Sequence, residues 1–380
     1  MKRKVLMITT ELHPKNVSVV KLLSKMPDYS FSFLFLSGKK TGKWNYRENI
    51  PITYHNCLSF HMSLPVKGDR FVLHFNPFVI FDLLKLKPDV LFLFGWDLPS
   101  YWICALYAFI FSKKLIIWVG STKDEKSFSR SLIMPIVKWM IKGADCLLAY
   151  GSKSKGYLLS LGADKEKVIV GINTIDTRNL IKQNIRLRNK RSLLRKKYGI
   201  GKGFVFLYLG QLIERKGIQD LLNAFKTRQN RNASLLIVGD GVLRSQIKKI
   251  ICLSDDKNII LHSSIQRDLI PEVLAISDLL VLPSHLEVWG LVVNEAMAFG
   301  LPVIISDKVG AGDDLIKEGI NGFIFPAKNI DRLRNLLDET SSNPITMAKM
   351  GNNNIKIAYK YGSEYLADTV LKSIEYALIK

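Results

Sequence analysis

A chain of 380 residues is too long for one comfortable hydrophobic core, and ordinary domain sizes divide it into two domains of fewer than about two hundred residues with a cleft between them. A hydrophobic fraction of 48% and a mean hydropathy of +0.11 exclude a disordered chain. Fifty-five basic against 33 acidic residues leave a net charge of +22, which attracts phosphate-rich partners, whether nucleic acid, nucleotides or anionic lipid headgroups.

The opening "MKRKVLMITTELHP" is basic, but its apolar run stops after a few residues and an acid follows, so it reads as a first strand and no signal peptide is expected. Strand-like runs then recur with helical segments between them: "KVLMIT", "FSFLFLSG", "DVLFLFG", "KLIIWVG", "DCLLAYG" and "KVIVGIN". That alternation is the signature of a parallel sheet covered by helices. The apolar stretch Leu98–Ser112 is shorter than the roughly 20 residues that cross a bilayer, so no spanning helix is expected. In "SFSRSLIMPIVKWMIK", Arg130, Lys138 and Lys142 gather on one side of a helical projection while Phe128, Leu132, Ile136, Trp139 and Met140 fill much of the rest. Such a segment suits a helix packed on its own sheet with a basic outer edge, or one lying in a membrane interface.

From Asp176 to Glu214 no acid interrupts the run of Arg178, Lys182, Arg186, Arg188, Lys190, Arg191, Arg195, Lys196, Lys197 and Lys202, which fits a solvated connector or a surface for an anionic partner. The strand rhythm restarts after it with "FVFLYLG", "SLLIVGD", "NIILHSS", "DLLVLPS", "LPVIISD" and "GFIFPA". Two doubly wound α/β domains in series are therefore predicted: residues 1–175, a basic linker over 176–202, residues 203–362, and a closing helix over 363–380 with apolar residues at helical spacing. Cys57, Cys104, Cys146 and Cys252 lie far apart with no CxxC pair, which fits neither a zinc site nor a disulfide framework and suits a reducing cytoplasm. His13, His55, His61, His74, His262 and His285 show no metal-ligand spacing, no Asp-x-Asp occurs, and no metal or other cofactor is expected.

The stretch "PSHLEVWGLVVNEAMAFGLPVIISD" carries the chemistry. Gly300 and Pro302 mark the end of a helix whose start falls near Gly290, and the preceding strand delivers its carboxyl end to where ligands sit in an open α/β sheet. Free amides of Gly290, Leu291 and Val292 could hold phosphate oxygens there. Glu287 precedes this helix and Glu295 lies on its second turn. By spacing alone they are either ligands for sugar hydroxyls or surface acids favoured by the helix dipole.

The same stretch resembles the Glu, seven residues, Glu motif of glycosyltransferase family 4, whose members have the GT-B fold, two Rossmann-like domains facing a cleft, and retain anomeric configuration. The resemblance implies that Glu287 lies by the donor sugar and that Glu295 binds the ribose of the nucleotide. "FVFLYLGQLIERKGIQDLLNAF" is similar to the family segment in which a strand ends in Gly-Arg and a Lys-Gly opens the next helix. Lys216 matches the lysine that contacts the donor pyrophosphate; Gln211, after Gly210, stands where Arg is usual, and Arg215 is placed to supply its charge. "LLIVGDGVLRSQI", with Gly239, resembles the family's strand and Gly-Asp-Gly turn, and "LLSLGADKEKVIVGINTID" the segment closing its first domain. Residues 145–326 carry the likeness. In the first domain "TTELHPKNVS" lacks the family's glycine pair, and after "KLIIWVG" the chain has Gly120, Ser121 and Thr122 followed by "STKDEK" without the usual His; these three are the candidates on the acceptor side. The expectation is a metal-independent enzyme that takes a nucleotide diphosphate sugar and a lipid-linked or saccharide acceptor, peripheral at the inner face of an anionic membrane, with no nucleic acid as partner. The alternatives are a polyanion-binding protein, and a GT-B protein that binds nucleotide sugar without transfer.

Overall fold

The computed structural model describes residues 2–11, 16–37, 51–66, 69–125, 128–254 and 256–379. His13 lies outside the described residues, as do the side chains of His61, His74, Phe128 and Arg130.

The chain divides into two compact units, Met1–Asn173 with Ser363–Lys380, and Thr174–Gly362. The first contains β1 (Arg3–Thr9), α1 (Val17–Leu23), β2 (Tyr29–Phe35), β3 (Thr53–Asn56), β4 (Phe60–Val66), β5 (Asp69–Phe75), α2 (Val79–Leu86), β6 (Val90–Leu93), α3 (Pro99–Ile110), β7 (Lys114–Val119), α4 (Phe128–Gly143), β8 (Cys146–Ala149), α5 (Ser152–Ser160) and β9 (Val168–Val170). The second runs through α6 (Thr177–Arg188), α7 (Arg191–Lys197), β10 (Val205–Leu209), α8 (Ile218–Lys226), β11 (Ser234–Val238), α9 (Arg244–Ser254), β12 (Ile259–His262), α10 (Ile270–Ile276), β13 (Leu279–Leu282), α11 (Leu291–Ala298), β14 (Val303–Ser306), α12 (Gly312–Leu315), β15 (Gly322–Phe325), α13 (Ile330–Ser342) and α14 (Pro344–Lys360). The last helix, α15 (Ser363–Ile379), returns to the first unit.

Each unit is built on a parallel sheet, ordered β3-β2-β1-β6-β7-β8-β9 in the first and β12-β11-β10-β13-β14-β15 in the second. Strands covered on both faces cannot alternate polar and apolar residues, which is why β6, β8, β13 and β14 are buried at every position. In the first unit α2 to α5 cover one face, around Leu83, Cys104, Met140 and Leu158, while α1 and α15 cover the other, around Val20, Leu23, Val370 and Ile374. In the second, α8 and α13 pack over Phe206, Tyr208 and Leu235. Every strand-like run read from the sequence forms a strand. The strands not foreseen are β3, whose Thr-Tyr-His-Asn is too polar to register, and the antiparallel pair β4–β5.

The expected linker is not one. Residues 176–202 form α6 and α7, and both belong to the second unit. Asp176 caps α6 by accepting the Asn179 N–H at 3.1 Å, and the Thr177 hydroxyl donates to Ala358 O at 2.7 Å. Arg191 and Arg195 hold the two oxygens of Asp278 at 2.7 and 2.8 Å, and Asp278 also accepts the Val205 N–H at 2.9 Å. These arginines are internal ties that lock α7 to the amino ends of the central strands β10 and β13, because a part-buried carboxylate requires cations and N–H donors around it. The closing helix likewise is no appendage: it supplies part of the first unit's core.

Candidate functional site

In the second sheet β10 and β13 are neighbours at the point where strand order reverses, with β11 on one side and β14 on the other. The carboxyl ends of strands flanking such a switch point open onto a crevice, since their connecting loops depart in opposite directions. The residues singled out from the sequence sit on those loops. Lys216 ends a short 3-10 turn, Glu214–Lys216, after β10, and Glu287 stands in the loop after β13. The structure brings their side chains together: the Lys216 ammonium donates to Glu287 Oε2, and both side chains are 15% exposed.

Two glycines make that approach possible. Gly217, at φ 65°, ψ 19°, joins the 3-10 turn to α8, and a Cβ there would lie 2.1 Å from Pro283 O, so the two loops meet backbone to backbone. Gly290, at φ 91°, ψ 65°, precedes α11 in the left-handed region, which leaves the first-turn amides of Leu291 and Val292 without intrahelical acceptors on the Glu287 loop. The helix starts where its sequence placed it. The loop is pinned from the other side as well, with Glu287 N–H donating to Lys308 O at 3.2 Å and Gly310 N–H to Glu287 O at 2.9 Å. Gly239, after β11, is equally constrained: its Cβ would fall 1.9 Å from Gly210 O, so these two positions are also adjacent.

The remaining candidates divide. Arg215 is exposed; its carbonyl accepts the His285 N–H at 2.8 Å and its guanidinium reaches Leu286 O at 3.4 Å, so it borders the same loop. Gln211 is exposed at the end of β10, and its carbonyl accepts the Tyr208 hydroxyl at 2.7 Å. Burial, and after it the Glu287 carboxylate, holds the Tyr208 phenol well above its ordinary pKa, so it stays a neutral donor. Glu295 is half-buried on the second turn of α11. Gly120, Ser121 and Thr122 follow β7 in the first unit, where Thr122 is buried and its N–H donates to Glu125 Oε2 at 2.9 Å.

Sequence reasoning set aside His285 as one lone histidine among six. In the structure its Nε2 lies 2.6 Å from Asp220 Oδ2, and this pair ties the first turn of α8 to the loop carrying Glu287. The signal was available in hindsight of geometry only, because Asp220 and His285 are separated by 65 residues. Trp289 and Asn294 form a similar buried brace, with the indole N–H donating to Asn294 Oδ1 at 3.0 Å.

Chemically, a cation and a carboxylate share one crevice beside a helix N-terminus. A phosphoryl anion competes with Glu287 for Lys216 and gains the α11 amides, whereas polyol hydroxyls find an acceptor in Glu287. Residues 190–357, which include this whole arrangement, match the family described as glycosyl transferases group 1. Alpha-D-kanosaminyltransferase of Streptomyces kanamyceticus is 26% identical over 43% of this chain and 43% of its own length, and the chain matches about half the length of the curated relatives. Among solved structures, Anabaena Alr3699/HepE in complex with UDP superposes with a TM-score of 0.77 at 18% identity, covering 99% of this chain and 100% of that one. The apo form of the lipopolysaccharide outer core galactosyltransferase WaaB gives 0.71 at 18% identity, covering 98% and 99%. The chain thus has the GT-B fold throughout, and its residues 190–357 are similar to the glycosyl transferases group 1.

Proposed function

We propose that the protein is a retaining, metal-independent glycosyltransferase that moves a sugar from a nucleotide diphosphate sugar, UDP- or GDP-linked, to the hydroxyl of a lipid-linked or saccharide acceptor in the assembly of a bacterial surface polysaccharide such as lipopolysaccharide, O-antigen or capsule. The observation that carries this is the Lys216–Glu287 pair at the switch point of the second sheet, beside the glycine-capped start of α11. In transfer the bond from sugar C1 to the diphosphate oxygen breaks, a bond from C1 to the acceptor oxygen forms, and the hydroxyl proton leaves with the diphosphate or to solvent. Lys216, with Arg215 at the rim, neutralises the charge that grows on the departing diphosphate, which is where fixed cations and amides lower a barrier most. Glu287 then addresses the sugar and Glu295 the ribose, with Gly210, Gln211 and Gly239 along the nucleotide.

The neighbours support the donor and acceptor classes: HepE is solved with UDP, and WaaB is described as acting on the lipopolysaccharide outer core. A positive chain working at the cytoplasmic face of an anionic membrane follows from the same reading, with the membrane as its peripheral partner and Gly120, Ser121 and Thr122 on the acceptor side. Thermal-shift titration with UDP, GDP and duplex DNA tests the donor class: stabilisation by a nucleotide diphosphate but not by DNA is expected. Mass spectrometry after incubation with mixed nucleotide sugars identifies the sugar, and proton NMR of the product reads whether the anomer is retained. Stabilisation by DNA alone would overturn the assignment.

A further inference from the structure

Three helices on one face of the first unit carry an outer surface that the core does not use. The middle one, α3, packs against α2 on one side and α4 on the other, and the Phe109 ring meets Trp139 edge-on at 4.8 Å, joining α3 to α4. Their inward residues fill the core; outward they expose Phe81 at 64%, Leu84, Leu106, Ile110 at 64%, Leu132 at 69% and Trp139. Scattered apolar residues are ordinary on a surface, but six on three adjoining helices of one layer are not.

The exposed charges of these three helices have one sign. Between Pro99 and Ile110 α3 has no charged residue, α4 has only basic ones, with Lys138 and Lys142 exposed, and α2 exposes Lys85. The acid of α2, Asp82, is turned towards the core: burial first, and then its hydrogen bond, raises the Cys57 thiol to about 12. Apolar and aromatic side chains surrounded by lysines suit the interface of an anionic bilayer, where the rings enter the headgroup region and the ammonium groups meet phosphate. A second copy of this chain fits less well, because it would set the same lysines against one another.

We propose that the outer face of α2, α3 and α4 docks the protein on an anionic lipid surface, with Phe81, Ile110, Leu132 and Trp139 inserting and Lys85, Lys138 and Lys142 contacting headgroup phosphate. This deepens the membrane element of the proposed function, and it moves that contact from the basic stretch 176–202, where Arg191 and Arg195 are committed to Asp278, to the first unit.

Flotation with vesicles of phosphatidylglycerol and phosphatidylcholine, at low and high salt, tests it. The protein should float with the mixed vesicles and not with phosphatidylcholine alone. Combined Phe81→Gln, Ile110→Gln and Leu132→Gln should lower the partition coefficient more than about tenfold without changing the Tm, since all three side chains are exposed. Brominated acyl chains should quench a fluorescence component that is lost in Trp139→Phe, whereas Lys85→Gln with Lys138→Gln and Lys142→Gln should weaken binding only at low salt. No flotation, or flotation unchanged by the apolar replacements with Trp139 unquenched, overturns the assignment. A parental dimer split by the same replacements, without vesicle binding, would give the face to a second copy. UDP stabilisation measured in parallel keeps the two readings apart: docking without UDP binding removes only the transferase, and UDP binding without docking removes only this surface.

Discussion

Removing the Lys216 side chain does two things at once, because its ammonium both awaits the donor phosphate in the proposed reaction and neutralises Glu287. Lys216→Ala should weaken UDP or GDP binding by about 1.5 to 3 kcal/mol, the worth of a charge-assisted contact, and should lower the Tm as Glu287 loses its cation. Glu287→Gln has the opposite sign for the nucleotide: it frees Lys216, so affinity measured by calorimetry should hold or rise while turnover falls strongly. Glu295→Gln should weaken nucleotide binding instead. Parental turnover in both glutamine variants would reduce the two acids to surface residues. In the proposed reaction His285 is one step removed from the reacting atoms, as a positioning residue. His285→Ala should cost about tenfold in turnover with donor affinity and Tm little changed, and His285→Asn, which keeps a hydrogen-bonding group opposite Asp220, should recover part of it. A fall in Tm that is equal in both variants, with turnover following it, would make the pair purely structural.

Secondary elements show where local pattern suffices and where it does not. The start of α11 was legible because its determinants are neighbours in sequence: Gly290 before, Gly300 and Pro302 after. The parallel strands were legible because burial on both faces leaves no alternation to misread. By contrast, α6 and α7 looked like a solvated connector because ten cations without an acid carry no local sign of their partners. Asp278, Glu272 and the carbonyl of Ile276 lie 75 or more residues further along the chain. The same distance hid the Asp220–His285 brace. Those ties give the element a measurable signature. Replacing Arg191 and Arg195 together by Gln should destabilise the second unit by about 1 to 3 kcal/mol, since Asp278 and the buried carbonyls of Ile276 and Ser277 at the end of α10 lose charged donors. Lys190→Gln with Lys196→Gln, both exposed, should change stability by less than about 0.5 kcal/mol. Equal effects from the two pairs in urea denaturation would contradict the role assigned to Asp278.

For the molecule as a whole, the return of α15 to the first unit is what the sequence concealed most thoroughly, since a helix at the end of a chain gives no hint of which core it completes. Deleting residues 363–380 should abolish the calorimetric transition of the first unit and spare that of the second, because Leu366, Val370, Ile374 and Ala377 are all buried in the core that α15 shares with α1, β7 and β8. Loss of both transitions, or of neither, would contradict the division into units. The order of synthesis gives this arrangement a further consequence. A ribosome making about 5 to 20 residues per second needs about ten to forty seconds to pass through the second unit, and during that time Val5, Phe33, Phe92 and Trp118 have α1 but not α15 to cover them. The first unit to be made is therefore the last to close. In a cell, it is this half-finished sheet, and not the second unit, that a chaperone would have to shield until α15 is made.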